Sequence, residues 1–318
     1  MTRLDTKQKI INLRINGRTI RLHTLTANPD NPVILYLHGG PGYGNSRHLC
    51  EIFNSLSSTL VKEYSLIFYD QRCAGDSMSI WDLFSNFTVE NHVSDAGHVL
   101  KYSLKLFSKN KLILCSHSWG THLGMKLADR FSNLIQGYVG IGQIVNGLRG
   151  EKMAYAYALK HKGKKGVAKL VKYGPPPHRK KELVPYLSLH RKILLENGGL
   201  DRSTTTVKDN QDRLNPSKTR LINALKHTLA MYLSVKYLWE QCLEVDFSDK
   251  THFNFPVIFV CGKYDQTTPT KLVINYFRSI RTPANIYIVD KSAHRPHLEN
   301  FEKFEAIMVK EKSFLTSF

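Results

Sequence analysis

Short apolar runs recur along the chain and constrain its fold more than any other feature. Each is six to nine residues long, and they lie at 33–38, 65–70, 111–117, 134–142, 256–262 and 284–290. A short run that is apolar throughout is typical of a strand buried on both faces of a parallel sheet. Between the runs lie stretches with apolar residues at helical spacing, such as 92–107 and 121–131. Strands that alternate with helices predict a doubly wound, mostly parallel α/β sheet.

Two other segments complete the predicted organisation. Apolar and polar residues alternate around Asn16-Gly17, which predicts a β-hairpin before the first run. The interval at 145–252 has no convincing buried-strand run but contains helix-like stretches, and it carries more basic than acidic residues. We therefore expect a helical cap at 145–252, inserted between core segments at 1–144 and 253–318.

The composition limits the location and the partners of the protein. The N-terminus lacks the apolar segment of a secretory signal, and no apolar run is long enough for a transmembrane segment. We expect a cytoplasmic protein, with Cys115 and Cys261 as reduced thiols in buried strands. The net charge of +19 favours anionic surfaces in general, but no nucleic-acid-binding motif accompanies it, so we expect no specific nucleic acid partner. No metal-ligand spacing is present, and the sequence leaves the oligomeric state open.

A candidate nucleophile lies directly after the third run. Ser116-His117-Ser118-Trp119-Gly120 joins this predicted strand to a predicted helix. This is the setting of a nucleophile elbow, whose usual pattern is G-x-S-x-G, although Ser116 stands in place of the first glycine. The predicted turn would place the Ser118 hydroxyl at a helix N-terminus, which favours developing negative charge.

A glycine-rich loop, His38-Gly39-Gly40-Pro41-Gly42, closes the first run. Such a loop can bring backbone N–H groups close to a reacting carbonyl. We expect the N–H groups of Gly40 and Trp119 to form an oxyanion hole beside Ser118. The loop lacks the Lys-Ser/Thr pair and the full GxGxxG pattern of phosphate-binding loops.

A serine nucleophile needs a base, and the base needs a carboxylate that orients it. Asp265 follows the run at 256–262, and His294 follows the last run. The order serine, acid, histidine is that of α/β hydrolases, so we predict a triad of Ser118, Asp265 and His294. His297 is the rival base and Asp290 the rival acid; we favour His294 because His297 opens the last predicted helix.

These motifs together resemble the proline iminopeptidase family of α/β-hydrolase peptidases. The matching segments are HGGPG at 38–42, Asp70-Gln71-Arg72 with the following Ala-Gly-Asp-Ser, SWG at 118–120, and the GKYD and SAH loops. The resemblance covers about 10–145 and 253–312, and Cys73 stands where the family has glycine. It implies an α/β-hydrolase fold, a serine peptidase mechanism and no cofactor or metal.

The resemblance also implies cap carboxylates that bind the free amino group of a peptide substrate. Glu240 is the candidate for this contact, and Glu244 and Glu182 are alternatives that equally suit a solvated surface. We therefore expect an aminopeptidase that releases N-terminal residues, with proline a candidate, from short peptides.

The sequence leaves two alternative functions open. One is an esterase or amidase with the same triad acting on a small, anionic substrate, because the predicted cap is basic. The other is a non-catalytic binding protein on the same scaffold. Haloalkane dehalogenases and epoxide hydrolases need a carboxylate nucleophile, and Ser118 argues against them.

Overall fold

A computed structural model describes residues 6–56, 59–160, 165–202 and 220–317, with side chains at all of these except 165 and 220–223. In this described part of the chain, eight strands form one sheet in the order β1-β2-β4-β3-β5-β6-β7-β8. Their bounds are β1 Lys7–Ile15, β2 Arg18–Thr26, β3 Val33–Leu37, β4 Ser65–Tyr69, β5 Leu112–His117, β6 Ile135–Ile141, β7 Val257–Gly262 and β8 Ala284–Val289. All six predicted buried runs are strands of this sheet.

The first two strands form the predicted hairpin. β1 and β2 are antiparallel, and Asn16 and Gly17 turn the chain with φ of 49° and 74°, as a tight hairpin turn requires. β2 is antiparallel to β4, whereas the six strands from β4 through β3, β5, β6 and β7 to β8 are parallel to one another. The prediction of a mostly parallel sheet is confirmed.

Helices cover both faces of the sheet because its central strands are apolar on both sides. One face packs against α3 (Val89–Leu106), α4 (Trp119–Arg130) and α9 (Thr270–Phe277), through side chains such as Val93, Leu123 and Val273. The other face packs against α1 (Ser46–Leu56), α2 (Leu60–Glu63), α11 (Phe301–Lys310) and α12 (Lys312–Leu315). α10 (Pro296–Glu299) lies between β8 and α11. Cys115 and Cys261 are buried free thiols in β5 and β7, as predicted.

Between β6 and β7, the described part of the chain consists of helices joined by loops. It forms α5 (Gly147–Leu159), α6 (Lys165–Tyr173), α7 (Lys180–Glu196) and α8 (Arg220–Leu243). These helices share an apolar cluster of their own that includes Ala154, Leu170 and Leu187. Residues 161–164 and 203–219 of the predicted cap lie outside the described residues. The cap boundaries at 145 and 252 stay a prediction.

Among the helices that the structure describes, none combines the length and the apolar character needed to cross a bilayer.

Candidate active site

Ser118 stands at a sharp turn between β5 and α4. Its backbone has φ of 52° and ψ of −122°, an uncommon conformation for a residue with a side chain. The turn is fixed by the Ser118 N–H, which donates to the Ile141 carbonyl of the neighbouring strand at 2.9 Å. Gly120 is required here, because a Cβ at this position would lie 2.2 Å from the Leu37 carbonyl oxygen. The strained turn holds the Ser118 side chain beyond the end of the sheet.

Ser116 replaces the first glycine of the usual motif, and the structure shows why this is tolerated. Its side chain is fully buried against Gly124 of α4. A Cβ at Gly124 would lie 2.4 Å from the Ser116 hydroxyl oxygen, so the missing side chain on the helix makes room for the serine.

The structure brings the three predicted triad residues together. His294 Nε2 lies 2.7 Å from Ser118 Oγ, and His294 Nδ1 lies 2.9 Å from Asp265 Oδ2. All three side chains are buried. Asp265 Oδ1 also accepts the backbone N–H groups of Thr267 and Thr268 at 2.8 and 3.0 Å, so the loop after β7 fixes the carboxylate. These distances allow proton transfer from serine to histidine and orientation of the imidazole by the aspartate.

The rival residues lie elsewhere in the site region. His297 is buried, and its Nε2 lies 3.0 Å from the Tyr36 hydroxyl oxygen. Burial lowers the pKa of His297 to about 3. Asp290 is exposed and pairs with Lys263 at 3.0 Å. Neither residue has a hydrogen bond to Ser118 or His294 among the described contacts.

His117, directly before Ser118, contacts the loop that carries His294. Its Nε2–H donates to the His294 carbonyl oxygen at 2.9 Å, and its ring lies 4.9 Å from the His294 ring between centroids. Burial first, and then the neighbouring His297 and His294, lower the pKa of His117 well below its usual value. His117 is therefore neutral at working pH. Sequence reasoning missed this contact, because the second position of the elbow motif is variable.

The glycine-rich loop lies against the same serine. A Cβ at Gly39 would lie 3.2 Å from Ser118 Cβ, and Gly40 has φ of +140°. Gly40 and Trp119, the two predicted oxyanion donors, line one cavity together with Ser118 and His294.

Gln71 connects the glycine-rich loop to Trp119. This role of Gln71 was not predicted from the sequence. Its side-chain carbonyl accepts the Trp119 indole N–H at 2.8 Å, and its side-chain NH₂ donates to the His38 carbonyl at 2.9 Å. Its backbone N–H donates to His38 Nε2 at 3.0 Å. Burial lowers the pKa of His38 to about 4, so the ring stays neutral and can accept this hydrogen bond. The Asp-Gln-Arg segment therefore positions the glycine-rich loop.

The cavity has a volume of about 730 Å³ and opens beside Ser118. It is formed by the loops at the carboxyl ends of the strands together with α5, α7 and α8, and most of its wall is apolar. Its aliphatic and aromatic lining includes Val145, Val184, Leu187, Leu195, Leu200, Met231, Tyr232, Val235, Trp239 and Leu272. A cavity of this size and lining suits an apolar group of a small molecule or a short peptide.

One carboxylate occurs in the described lining of this cavity, and it belongs to Glu151 of α5. Its side chain is only 9% exposed and accepts two hydrogen bonds from Arg191 of α7, one of them at 3.2 Å. His190 Nδ1 lies 3.8 Å away, and the Arg191 guanidinium lies over the Trp239 ring at 5.6 Å. Glu151 was not predicted as a site residue from the sequence. The available signal was its helical spacing to the buried Ala154, Tyr155 and Ala158, which places a charge on an apolar stripe.

Glu240, by contrast, does not belong to the cavity, so its prediction as a substrate-binding residue needs correction. Its side chain is 73% exposed and lies 3.8 Å from Lys180. The neighbouring Trp239 of α8 faces the cavity. Because successive side chains of a helix point about 100° apart, Glu240 points away from it. Glu244 is exposed and Glu182 is partly exposed, and neither lines the cavity.

Within the described residues, one group of side chains has metal-ligand spacing: His23, Asp70 and Asp76. It lies outside the cavity lining. Asp70 already accepts the backbone N–H groups of Ser46 and Asp76 at 3.0 and 2.8 Å, and Arg47 pairs with Asp76 at 2.9 Å. We assign no metal to this group, and the absence of a cofactor stays a prediction.

The glycine-rich loop also packs directly on α8. Gly42 has φ of +82°, and a Cβ there would lie 2.6 Å from the Ala230 carbonyl oxygen and 2.7 Å from the Ser234 hydroxyl. Cys73, in the segment after Asp-Gln-Arg, keeps a backbone suited to the glycine of related sequences, with φ of 54°, and its thiol is buried. Gly42 therefore brings the glycine-rich loop into close backbone contact with α8.

Fold and sequence together define the class. The chain belongs to the α/β-hydrolase fold family, whose sequence model matches residues 32–301. It is 26% identical to Probable aminopeptidase YbaC of Bacillus subtilis (strain 168) over 306 residues, which are 93% of this chain and 89% of that protein. The predicted α/β-hydrolase fold is confirmed, and the predicted resemblance to the proline iminopeptidase family agrees with the name of this relative.

Two solved structures share the fold over nearly the whole chain. A proline iminopeptidase from Mycobacterium smegmatis has a TM-score of 0.70 at 16% identity, covering 97% of this chain and 99% of that one. A proline iminopeptidase-related protein from Thermus thermophilus has a TM-score of 0.63 at 17% identity, covering 98% and 99%.

Proposed function

We propose that this α/β hydrolase is a serine hydrolase with Ser118 as nucleophile, His294 as general base and Asp265 as the residue that orients it. The continuous hydrogen-bonded chain from Ser118 through His294 to Asp265, at the mouth of an apolar cavity, carries this proposal. His294 Nε2 takes the Ser118 proton as the serine oxygen attacks the substrate carbonyl. The N–H groups of Gly40 and Trp119 stabilise the oxyanion.

Collapse of the tetrahedral intermediate breaks the bond to the leaving group, which receives the proton from His294. Water then attacks the acyl-enzyme with His294 again as base, and the carboxylic acid product leaves. None of these steps needs a cofactor.

Labelling with a fluorophosphonate probe tests the nucleophile. We expect labelling of the wild type and none of Ser118→Ala. Ser188 also lines the cavity but has no described hydrogen bond to His294, so Ser188→Ala is the matched control and should label normally. Equal labelling of wild type and Ser118→Ala would exclude the proposed mechanism, and no labelling of either would favour a non-catalytic binding protein.

For the substrate, we propose an aminopeptidase that releases an N-terminal residue from short peptides, with Glu151 as the acceptor for the substrate's ammonium group. Glu151 is the one carboxylate in the described cavity lining. The apolar wall around it would hold the side chain of the first residue, so proline and larger apolar residues both suit the site. The curated relative from Bacillus subtilis carries the name of a probable aminopeptidase, which agrees with this proposal.

The pair of carboxylates in the cap allows a matched test. Turnover of proline and leucine p-nitroanilides is compared with that of their N-acetyl forms in the wild type, Glu151→Gln and Glu240→Gln. A hydrogen bond to a charged group contributes about 1.5–3 kcal/mol, so Glu151→Gln should lower kcat/KM for the free-amine substrates about 10- to 150-fold. The exposed Glu240→Gln should leave it unchanged. Equal turnover of free and acetylated anilides by the wild type would contradict the aminopeptidase proposal.

The alternative is an esterase or amidase with the same triad, and one observation favours it. Glu151 already has Arg191 as a partner, so a substrate ammonium would have to share that carboxylate. The two arginines in the described lining, Arg191 and Arg295, pair with Glu151 and Asp201, so the basic surface does not extend into the cavity as unpaired charge. This favours an apolar ester over an anionic one. Ser118-dependent cleavage of p-nitrophenyl esters without cleavage of the anilides would select this alternative.

A further inference from the structure

An exposed apolar projection lies outside the cavity lining, in the short helix Ile80–Phe84. Ile80 is 66% exposed, Trp81 71% and Phe84 80%, and Leu83 is also exposed. Single exposed apolar residues are ordinary, but four within five residues form a patch of the kind that marks an interaction site. We call these four residues the apolar projection.

The projection is firmly held rather than a loose turn. Asp82, the one polar residue of this short helix, is fully buried. Its carboxylate pairs with Arg18 and accepts the Ser79 backbone N–H at 2.8 Å. Phe87, just after it, is buried against the Tyr237 ring at 5.1 Å. Because the charged residue points inward and is anchored, the four apolar side chains are presented outward together.

The two carboxylates nearest to the projection along the chain are both paired, Asp76 with Arg47 and Asp82 with Arg18. An exposed lysine, Lys236, lies over the Tyr237 ring at 5.1 Å, and this ring packs against Phe87 just after the projection. The whole chain carries a net charge of +19.

We propose that the apolar projection inserts into the surface of an anionic lipid bilayer and docks the protein there peripherally. Tryptophan and phenylalanine are favoured at the boundary between headgroups and acyl chains, and the net positive charge of the chain adds attraction to anionic lipids. A second copy of the chain is the poorer occupant, because pairing would bring two +19 chains together. The proposal is independent of the substrate.

Vesicle binding of the full chain tests this surface. Cosedimentation is measured with phosphatidylcholine vesicles and with vesicles of phosphatidylcholine and phosphatidylglycerol at low and high salt. We expect binding to the anionic vesicles that weakens with salt, and at least tenfold weaker binding by the double variant Trp81→Ser/Phe84→Ser. Ile10→Ser is the matched control, because Ile10 is 59% exposed on the edge strand β1, and it should bind like the wild type.

A second measurement uses the wild type alone. Brominated lipid should quench part of its tryptophan fluorescence on binding, since Trp81 would reach the acyl chains while Trp119 is buried in the protein and Trp239 lines the cavity. Equal binding to neutral and anionic vesicles, no binding to either, or undiminished binding by the double variant would each overturn the proposal. A dimer of the wild type that the double variant loses would assign the projection to self-association instead.

Discussion

His122 is a buried histidine whose contribution to acid sensitivity can be worked out from its surroundings. His122 of α4 packs between the Trp119 and Phe247 rings, at 5.2 and 6.0 Å between centroids. Neither ring nitrogen has a hydrogen-bond partner in the part of the chain that the structure describes. Burial, with smaller contributions from Lys126 and His92, lowers the pKa of His122 to about 3.

The magnitude follows from the difference between the folded and unfolded pKa. An unfolded histidine titrates near 6.5, so between pH 6.5 and about 3 the unfolded chain holds a proton at this position that the folded protein does not. The folded state is therefore destabilised as the pH falls. From pH 7.5 to 5.0 this one residue should remove about 2 kcal/mol from the free energy of unfolding.

The variant His122→Phe removes the titration and keeps an aromatic ring between Trp119 and Phe247. We expect its free energy of unfolding to fall by about 2 kcal/mol less than that of the wild type between pH 7.5 and 5.0. At pH 7.5 it should already be the more stable protein, because a buried polar group without a partner costs about 1–3 kcal/mol.

Urea titrations at the two pH values measure this difference. His98→Phe is the control for the substitution itself, since His98 is exposed on α3. If His122→Phe and the wild type lose the same free energy on acidification, burial does not hold His122 neutral and the reasoning is wrong.

Three further predictions concern the site. Asp265→Asn should lower kcat about 10⁴-fold with little change in KM, because the imidazole loses the carboxylate that fixes its tautomer; a loss under tenfold in steady-state kinetics would contradict the role of Asp265. His117→Ala removes the hydrogen bond to the His294 carbonyl and should lower kcat about tenfold at unchanged KM, whereas a change in KM alone would show that His117 does not position the base. Gln71→Leu leaves the Trp119 indole N–H unpaired and should lower the free energy of unfolding by about 1–3 kcal/mol, so an unchanged urea midpoint would count against this network.

The strands of the sheet were predictable because each is marked in the sequence by its own short apolar run. Runs such as 33–38 and 256–262 are apolar throughout, and only a strand covered on both faces buries that pattern in so few residues. The hairpin turn at Asn16-Gly17 was equally local. The order of the strands was not predicted, since it depends on contacts between distant segments.

The site was predictable where the backbone itself dictates the residue. The turn at Ser118 needs glycine at 120, and the loops after β7 and β8 each supply one polar residue of the required type. The cap was harder to interpret, because a glutamate on an amphipathic helix is ordinarily solvated. Glu151 lies on a helical face that packs inward, whereas Glu240 lies on an exposed face. Packing against the neighbouring helices decides which face is buried.

Cys73 illustrates a departure whose structural consequence was small. A cysteine in place of glycine suggests a change of the backbone, yet φ remains 54°. The packing around this fully buried residue holds a side chain in a conformation that glycine adopts freely.

The close contact of Gly42 with α8 has a consequence for selectivity. The helix that supplies Met231, Val235 and Trp239 to the cavity wall also abuts the loop that carries Gly40. A bulky substrate that displaces this wall would therefore also shift, through the backbone contact at Gly42, the Gly40 amide that we propose as an oxyanion donor. Substrates of different bulk should accordingly be distinguished by how fast the bound molecule reacts, and not only by how tightly it is held.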